Sequence, residues 1–238
     1  MKIFRGWNEF ATFAVDLQGR KTLVVCDVNT EPFAVRIAEL LERTGGVTDT
    51  YRFLDKHLVP EMDNLSALTE TAKRHSYILG VGSGVINDIC KYVSSIIHVP
   101  YGILATAPSM DGYVSGISAL HEHGKKVTVP ATIPQAVLID LEILRDAPLD
   151  MIVAGAGDMI GKHTSLMDWK LSHVLNGETY DTAIVGRMQT ALDMCMRDAR
   201  DLTARKESAV SSLIEGLILS GVEMQNAGNS RPASGSEH

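Results

Sequence analysis

Several groups of residues in this sequence have types and spacings that could do chemistry. The first is the glycine turn Gly80–Gly84, which follows the apolar run Tyr77–Leu79 and precedes an amphipathic stretch over Val85–Ile97. Uncovered backbone N–H groups at the start of a helix, together with the helix dipole, suit a phosphate group. Because glycines also serve close packing, the turn alone is only a weak indication of a phosphate site.

Polar residues also follow the next predicted strand. A second apolar run, Tyr101–Ala107, leads into the polar loop Thr106–Ser115, which contains Asp111. Asp88 lies one turn into the helix that follows the glycine turn. Since the loops after neighbouring parallel strands meet at the same carboxyl edge of a sheet, we expect the turn and this loop to form one ligand site.

Asp27 ends an earlier predicted strand, Thr22–Val28, and is followed by a helix over Phe33–Arg43 with Thr30 as its N-cap. A carboxylate at this place can accept hydrogen bonds from the hydroxyls of an adenine ribose. A strand-end aspartate that caps the next helix explains the residue equally well. The sequence leaves both interpretations open.

Asp158 lies in a stretch that contains three glycines, Gly155, Gly157 and Gly161, within a predicted long helix. Glycine inside a helix costs about 1 kcal/mol relative to alanine, so its presence favours close approach of a ligand or of another element. Asp158 is therefore a candidate metal ligand. The alternative is that Asp158 caps a helix that restarts at Met159.

The histidines offer few further ligands. His121 and His123 lie in a predicted hairpin turn between Gly116–Leu120 and Lys126–Pro130, where exposure explains them more simply than a metal. His163 is predicted to face away from Asp158. The last residue of the sequence, His238, could bind a metal together with Asp158. A catalytic zinc, however, usually has three protein ligands.

Composition limits the class of protein. The 238 residues are 45% apolar and 21% charged with a net charge of −7, which is ordinary for a globular protein and unfavourable for nucleic-acid binding. No apolar run is long enough to span a membrane, and the N-terminus lacks a signal core. Three widely spaced cysteines predict reduced thiols and a cytoplasmic location.

The order of the predicted elements indicates two domains. Strand and helix signals alternate up to about Ala147, which predicts a Rossmann-like parallel-sheet domain over residues 1–147 that binds a dinucleotide. Long helical stretches follow, which predict an all-helical domain over residues 148–238 that binds metal and substrate. The predicted fold class is therefore α/β, and we expect the helical domain to be truncated at its C-terminus, because SGSEH resembles a fresh helix start.

Four motifs together resemble those of the sn-glycerol-1-phosphate dehydrogenases, in the iron-containing alcohol dehydrogenase and dehydroquinate synthase-like superfamily. They are GVGSGVINDICKY, TAPSMDGYVS, AGAGDMIGKHTSLMDWKLS and SRPASGSEH, in that order. The resemblance covers about residues 20–238, and the bacterial branch that uses NAD or NADP is nearest. It implies a metal-dependent dehydrogenase, an enzyme that acts on a small phosphorylated substrate and that could form a homo-oligomer.

The resemblance also implies roles for individual residues. The dinucleotide pyrophosphate would be bound by Gly82, Ser83, Gly84, Val85, Ile86, Asn87 and Asp88. The nicotinamide half would contact Thr106, Ala107, Pro108, Ser109 and Ser115. Asp111 and Asp158 would be the catalytic residues and would contact the substrate. Asp158 and His238 would bind one divalent metal, either zinc, nickel or iron. The family's third ligand is a histidine about twenty residues beyond SGSEH, past the last residue of this sequence.

The implied reaction reduces dihydroxyacetone phosphate with NAD(P)H to sn-glycerol 1-phosphate, reversibly, for glycerophospholipid synthesis. Two other activities of the superfamily are alternatives: a polyol dehydrogenase such as glycerol dehydrogenase, and a dehydroquinate synthase-like lyase. A truncated NAD-binding protein without catalysis is a third. A phosphate ester needs a cation, and the sequence offers Lys162 and Arg231 without placing either.

Overall fold

The computed structural model describes residues 1–236 and consists of two units. The first, here called the sheet unit, comprises Met1–Thr106 and Gly116–Asp140. The second, the helical unit, comprises Ala107–Ser115 and the chain from Leu141 onward. The loop that follows Thr106 thus belongs to the helical unit. The division into independent domains near Ala147 stays a prediction.

The sheet unit contains six parallel strands: Lys2–Arg5 (β1), Lys21–Asp27 (β2), Val47–Phe53 (β3), Tyr77–Gly82 (β4), Tyr101–Ala105 (β5) and Ala136–Ile139 (β8). They lie in the sheet in the order β1-β8-β5-β4-β2-β3. Strands β4, β5 and β8 are buried along their whole length, which explains why they are continuous apolar runs rather than alternating ones. The predicted parallel α/β fold is confirmed.

Four helices connect these strands: Gly6–Asp16 (α1), Glu31–Arg43 (α2), Ser66–Ala72 (α3) and Gly84–Ile97 (α4). The α4 prediction is confirmed. The helix ends at Ile97, and its C-cap residue His98 has a φ of 55°, which lies in the left-handed region. The sequence did not predict β1 or α1. Strand β1 is four residues long and lies at the sheet edge beside β8, where it needs little apolar pattern of its own.

An antiparallel hairpin, Ile117–Glu122 (β6) and Lys125–Pro130 (β7), lies between β5 and β8 along the chain and confirms the predicted hairpin. His123 and Gly124 both have positive φ, as a two-residue type I′ turn requires. Two hydrogen bonds connect the hairpin to α4. Ser118 Oγ donates to Asp88 O at 2.6 Å, and the fully buried Lys91 donates through Nζ to Ile117 O at 3.0 Å.

The helical unit is built from Leu141–Asp146 (α5), Leu149–Asn176 (α6), Thr182–Asp198 (α7) and Glu207–Ala227 (α8). Helix α6 is continuous over 28 residues, so the alternative in which a helix restarts at Met159 is wrong. Asp181 caps α7 by accepting the N–H groups of Ala183 and Ile184. Among the described residues, no helix has the length and apolarity to cross a membrane.

Two glycines on α6 and α8 allow the loop Ala107–Ser115 to approach both helices closely. An ideal Cβ on Gly155 would lie 1.8 Å from the carbonyl oxygen of Pro108. An ideal Cβ on Gly221 would lie 2.7 Å from the carbonyl oxygen of Asp111. The glycines of α6 predicted close approach of a ligand or another element, and at Gly155 the close neighbour is the backbone of this loop.

Alanine substitutions at two glycines of α6 should have opposite effects. Gly155→Ala should lower the free energy of unfolding by about 1–3 kcal/mol or more, because the new methyl group overlaps backbone. Gly157 has no atom within 4 Å of an ideal Cβ, so Gly157→Ala should raise it by about 0.5–1 kcal/mol through helix propensity. Urea unfolding followed by circular dichroism measures both. A shift of the same sign in the two variants would contradict this packing.

Candidate functional site

The strand order of the sheet unit changes direction between β2 and β4. After β3 at one edge, the chain crosses back to place β4 on the other side of β2. Ligands of open parallel sheets bind beyond the carboxyl ends of the strands at such a point. Asp27 ends β2, and Gly82 ends β4. The structure therefore brings two of the predicted cofactor-binding positions to neighbouring strand ends.

The glycine turn leaves the first turn of α4 accessible. Ser83 is the N-cap residue, but its side chain makes no capping hydrogen bond. Ser83, Gly84 and Val85 are partly exposed, whereas Ile86 and Asn87 are buried. Gly82 is required by packing, because an ideal Cβ there would lie 2.6 Å from Cβ of Ile86. The turn combines a tight strand-to-helix connection with a partly exposed helix N-terminus suited to an anion.

Asp27 holds the turn after β2 together. Its Oδ1 accepts the N–H groups of Asn29 at 2.8 Å and Thr30 at 2.9 Å. Thr30 occupies the N-cap position of α2, yet its hydroxyl donates to Val81 O at 2.8 Å instead of capping the helix. Oδ1 of Asp27 thus serves the local backbone just before α2. Binding of an adenine ribose stays a prediction.

Asp88 faces the hairpin from the first half of α4. Its carboxylate lies 3.8 Å from Nζ of Lys91, and it also accepts the backbone N–H of Ala119. Burial raises the pKa of Asp88 to about 6, although Lys91 and that hydrogen bond oppose the shift. The predicted contact with the cofactor pyrophosphate stays a prediction, and the structure adds a definite role in joining α4 to β6.

The loop after β5 begins at the sheet edge. Thr106 N–H donates to Gly82 O at 3.1 Å and so continues the hydrogen bonding between β5 and β4. Within the helical unit, Tyr113 donates to Ala107 O at 2.6 Å, and Ser115 Oγ donates to Gly112 O at 3.1 Å. These bonds fix the loop internally. The predicted contacts of Thr106, Ala107, Pro108, Ser109 and Ser115 with nicotinamide stay predictions.

Helix α6 and this loop bring the two predicted substrate residues together on one lysine. Lys162 is fully buried, and its Nζ lies 2.6 Å from Asp158 Oδ1 and 2.8 Å from Asp111 Oδ2. The same ammonium donates to Ala233 O at 2.9 Å. Asp111 N–H donates to Asp158 Oδ2 at 2.8 Å, and Ser220 Oγ donates to Asp111 Oδ2 at 2.7 Å. We call Asp111, Asp158, Lys162 and Ser220 the Lys162 cluster.

Electrostatics explain why this cluster can be buried. Burial by itself lowers the pKa of Lys162, but Asp111 and Asp158 together outweigh burial and hold that pKa above its ordinary value. Burial and the neighbouring Asp111 raise the pKa of Asp158, against the opposing effect of Lys162. A charged lysine with three acceptors satisfies the condition under which a buried ion pair is tolerated.

Asp158 is chemically suited to bind a metal. A carboxylate offers about four lone-pair sites, so it can accept from Lys162 and Asp111 and still ligate a cation. Within residues 1–236, no group of three or more histidine, cysteine, aspartate or glutamate side chains could hold a metal ion. The second predicted ligand, His238, lies outside the described residues.

Sequence reasoning missed the position of Lys162 and the role of Ser220. The spacing of four residues between Asp158 and Lys162 puts both on one helix face, and this signal could have placed the lysine beside the aspartate. Nothing in the sequence indicated Ser220. Arg231, the other cation considered, donates through Nε to Glu178 Oε1 at 2.8 Å. His163 is exposed, as is His123 in the hairpin turn.

Comparison with known proteins gives matches over most of the chain. Residues 7–148 match the family model described as iron-containing alcohol dehydrogenase. A glycerol-1-phosphate dehydrogenase (NAD(P)+) of Bacillus licheniformis is 37% identical over 97% of this chain and 59% of its own length. The enzyme of the same name from Halalkalibacterium halodurans is 35% identical over 90% of this chain and 55% of its own length.

A solved structure shares the fold. Glycerol dehydrogenase from Schizosaccharomyces pombe aligns with a TM-score of 0.78 at 19% identity, over 94% of this chain and 60% of that chain. The predicted resemblance is confirmed by the curated relatives, and the predicted fold by this structure. The chain spans less than two thirds of the length of each of these three proteins.

The largely buried Asp88, whose side chain is 17% exposed, should make stability depend on pH. Its raised pKa means that its contribution to the free energy of unfolding is present below about pH 4, the ordinary range for aspartate, and is lost as pH rises through about 6. Asp88→Asn should flatten this part of the curve. Carboxyl NMR titration and urea unfolding across this range measure both effects. Asp193→Asn, at an exposed position on α7, makes the same change as a control and should retain the slope.

Proposed function

Because this chain belongs to the iron-containing alcohol dehydrogenase family, we propose that it is a metal-dependent oxidoreductase that uses NAD(P). The proposed reaction transfers a hydride reversibly between NAD(P)H and dihydroxyacetone phosphate, giving sn-glycerol 1-phosphate. The observation that carries the proposal is the Lys162 cluster, which holds Asp111 and Asp158 together on one buried ammonium. The names of the two curated relatives support the substrate and the cofactor.

The residues at the sheet edge would bind the cofactor. The helix N-terminus at Gly84 offers N–H groups and a helix dipole to the pyrophosphate, and Asp27 offers a carboxylate to the ribose. The remaining proposed contacts are Gly82, Ser83, Val85, Ile86, Asn87 and Asp88 with the pyrophosphate, and Thr106, Ala107, Pro108, Ser109 and Ser115 with the nicotinamide half. The hairpin contacts of Asp88 and Lys91 would hold α4 at a fixed angle.

The Lys162 cluster would bind the substrate. When bound, a divalent metal would polarise the C2 carbonyl and the reduced nicotinamide would supply hydride. Asp158 is proposed to ligate that metal and to contact the substrate, together with His238. Asp111, fixed by Lys162 and Ser220, would orient a substrate hydroxyl through its carboxylate. Zinc, nickel and iron all suit oxygen and imidazole donors.

One observation favours a second candidate function. The three N–H bonds of Lys162 have three protein acceptors, in Asp158, Asp111 and Ala233, so this cation is already engaged without a phosphate. A dehydrogenase for an uncharged polyol such as glycerol needs no phosphate-binding cation. Turnover of dihydroxyacetone phosphate compared with dihydroxyacetone separates the two candidates.

With NADH and a divalent metal, we expect faster turnover of dihydroxyacetone phosphate than of dihydroxyacetone.

Asp158→Asn keeps one oxygen acceptor for Lys162 but removes the charge that binds the metal, so it should abolish activity and metal retention while preserving the fold. Steady-state kinetics, metal analysis and circular dichroism measure these effects. Wild-type metal content in the variant would show that Asp158 is not a ligand, and equal turnover of both ketones would favour the polyol dehydrogenase.

We expect the protein to prefer NAD over NADP. The Asp27 carboxylate would repel a 2′-phosphate, and no arginine follows it before Arg36. Asp27→Ser should therefore raise kcat/KM for NADPH relative to NADH. If the two cofactors have equal kcat/KM and Asp27→Ser changes neither value, Asp27 does not contact the ribose.

A further inference from the structure

Ser220 lies in the interior of α8 and has no exposed surface. A serine inside a helix commonly donates to the backbone carbonyl four residues earlier in its own helix. Ser220 Oγ instead donates to Asp111 Oδ2 at 2.7 Å, across 109 positions of the sequence. This buried hydroxyl therefore serves the contact with the loop Ala107–Ser115 rather than the helix that carries it.

The same helix holds that loop at two further points. An ideal Cβ on Gly221 would lie 2.7 Å from Asp111 O, so the missing side chain leaves room for the backbone of the loop. One turn further along α8, Gln225 Nε2 donates to Val114 O. Helix α8 thus fixes the backbone of the loop through Gly221 and Gln225, and the carboxylate through Ser220.

The carboxylate of Asp111 meets both of its donors on one oxygen. Lys162 Nζ lies 2.8 Å from Oδ2, and Ser220 Oγ lies 2.7 Å from the same atom. Within residues 1–236, Oδ1 of Asp111 accepts no hydrogen bond. The side chain is 16% exposed, and the fully buried side-chain atoms that lack a partner in this part of the chain do not include Oδ1. Asp111 therefore presents one accessible acceptor oxygen.

Donors from two different helices determine how this carboxylate is rotated. Lys162 lies on α6 and Ser220 on α8, and together they hold Oδ2, so the planar carboxylate places Oδ1 at a defined point. The torsion about the Cβ–Cγ bond of an aspartate is soft. With Lys162 alone, the ammonium could take either oxygen. Ser220 therefore selects which oxygen stays accessible.

We propose that Ser220 is a positioning residue that directs Asp111 Oδ1 at the free hydroxyl of the ketone substrate, on the end that carries no phosphate. The inference rests on the proposed function, in which Asp111 contacts the substrate. An ionised carboxylate oxygen only accepts hydrogen bonds, so it binds a hydroxyl group and repels a phosphate. Ser220 touches neither substrate nor cofactor in this role.

A hydroxyl site of this kind discriminates against ligands that lack the hydroxyl. A hydrogen bond to a charged acceptor contributes about 10-fold to 100-fold in affinity. Removing the neutral donor that orients the acceptor should cost about 3-fold to 10-fold of that discrimination. A loss of general stability, by contrast, would weaken binding of ligands with and without the hydroxyl to the same extent.

Equilibrium binding of two ligands tests the proposal without turnover: dihydroxyacetone phosphate, and hydroxyacetone phosphate, which lacks only the free hydroxyl. Isothermal titration calorimetry on the full chain, without reduced cofactor, gives the ratio of their dissociation constants. We expect the wild type to bind dihydroxyacetone phosphate at least about 10-fold more tightly. Ser220→Ala should lower this ratio about 3-fold to 10-fold, and Ser220→Thr, which keeps the hydroxyl, should retain it.

The matched control is Ser212→Ala, which removes another serine of α8 that donates to an aspartate, Asp198 Oδ2 at 2.7 Å. It should leave the ratio unchanged. If Ser220→Ala keeps the wild-type ratio, or if Ser220→Ala and Ser220→Thr lower it equally, the positioning role is wrong. A wild-type protein that binds both ligands equally well would instead contradict the substrate contact of Asp111, and with it the proposed function.

Discussion

The helical unit depends on one buried charge. Lys162 has no exposed surface, and moving an ammonium out of water costs far more than one hydrogen bond returns. The cost is offset only when all three of its donors meet acceptors, and these come from Asp111, Asp158 and Ala233. Three stretches far apart in sequence are therefore fixed together: the loop 107–115, helix α6 and the segment around Ala233.

The glycines of α6 and α8 make that arrangement sterically possible. Gly155 gives room to the carbonyl of Pro108, and Gly221 gives room to the carbonyl of Asp111. Without these close approaches the loop could not bring Asp111 to Lys162. Glycine lowers the stability of both helices relative to alanine. The proposed site rather than the helix requires these glycines, because they allow the carboxylate of Asp111 to reach Lys162.

The sheet unit also contains a fully buried lysine whose ammonium needs acceptors, Lys91. Lys91 is as fully buried as Lys162, and it joins Asp88 on α4 to the backbone of the hairpin at Ile117. The hydrogen bond from Ser118 to Asp88 O adds a second connection. Helix α4 begins at the partly exposed residues Ser83 and Gly84. The contacts of Asp88 and Lys91 therefore hold the proposed phosphate-binding N-terminus of α4 in place from within the helix.

The sequence by itself determined the element types wherever the pattern was strong and local. Continuous apolar runs predicted β2, β4 and β5, the period of α4 predicted its length, and long periodic stretches predicted α6, α7 and α8. The family resemblance of the motifs implied that Asp111 and Asp158 share one substrate site, which stays a prediction. The edge strand β1 and helix α1 escaped prediction because a short edge strand takes its stability from β8 rather than from its own residues.

Only the tertiary structure decided which side chains meet. Whether Asp158 capped a helix or lay within one depended on packing along α6, and the continuous helix excluded the cap. The contact of Lys162 with Asp111 and Ala233 joins residues 51 and 71 positions away from the lysine, respectively. No local pattern encodes such a contact, because burial of a charge is settled by whichever acceptors the folded chain brings to it.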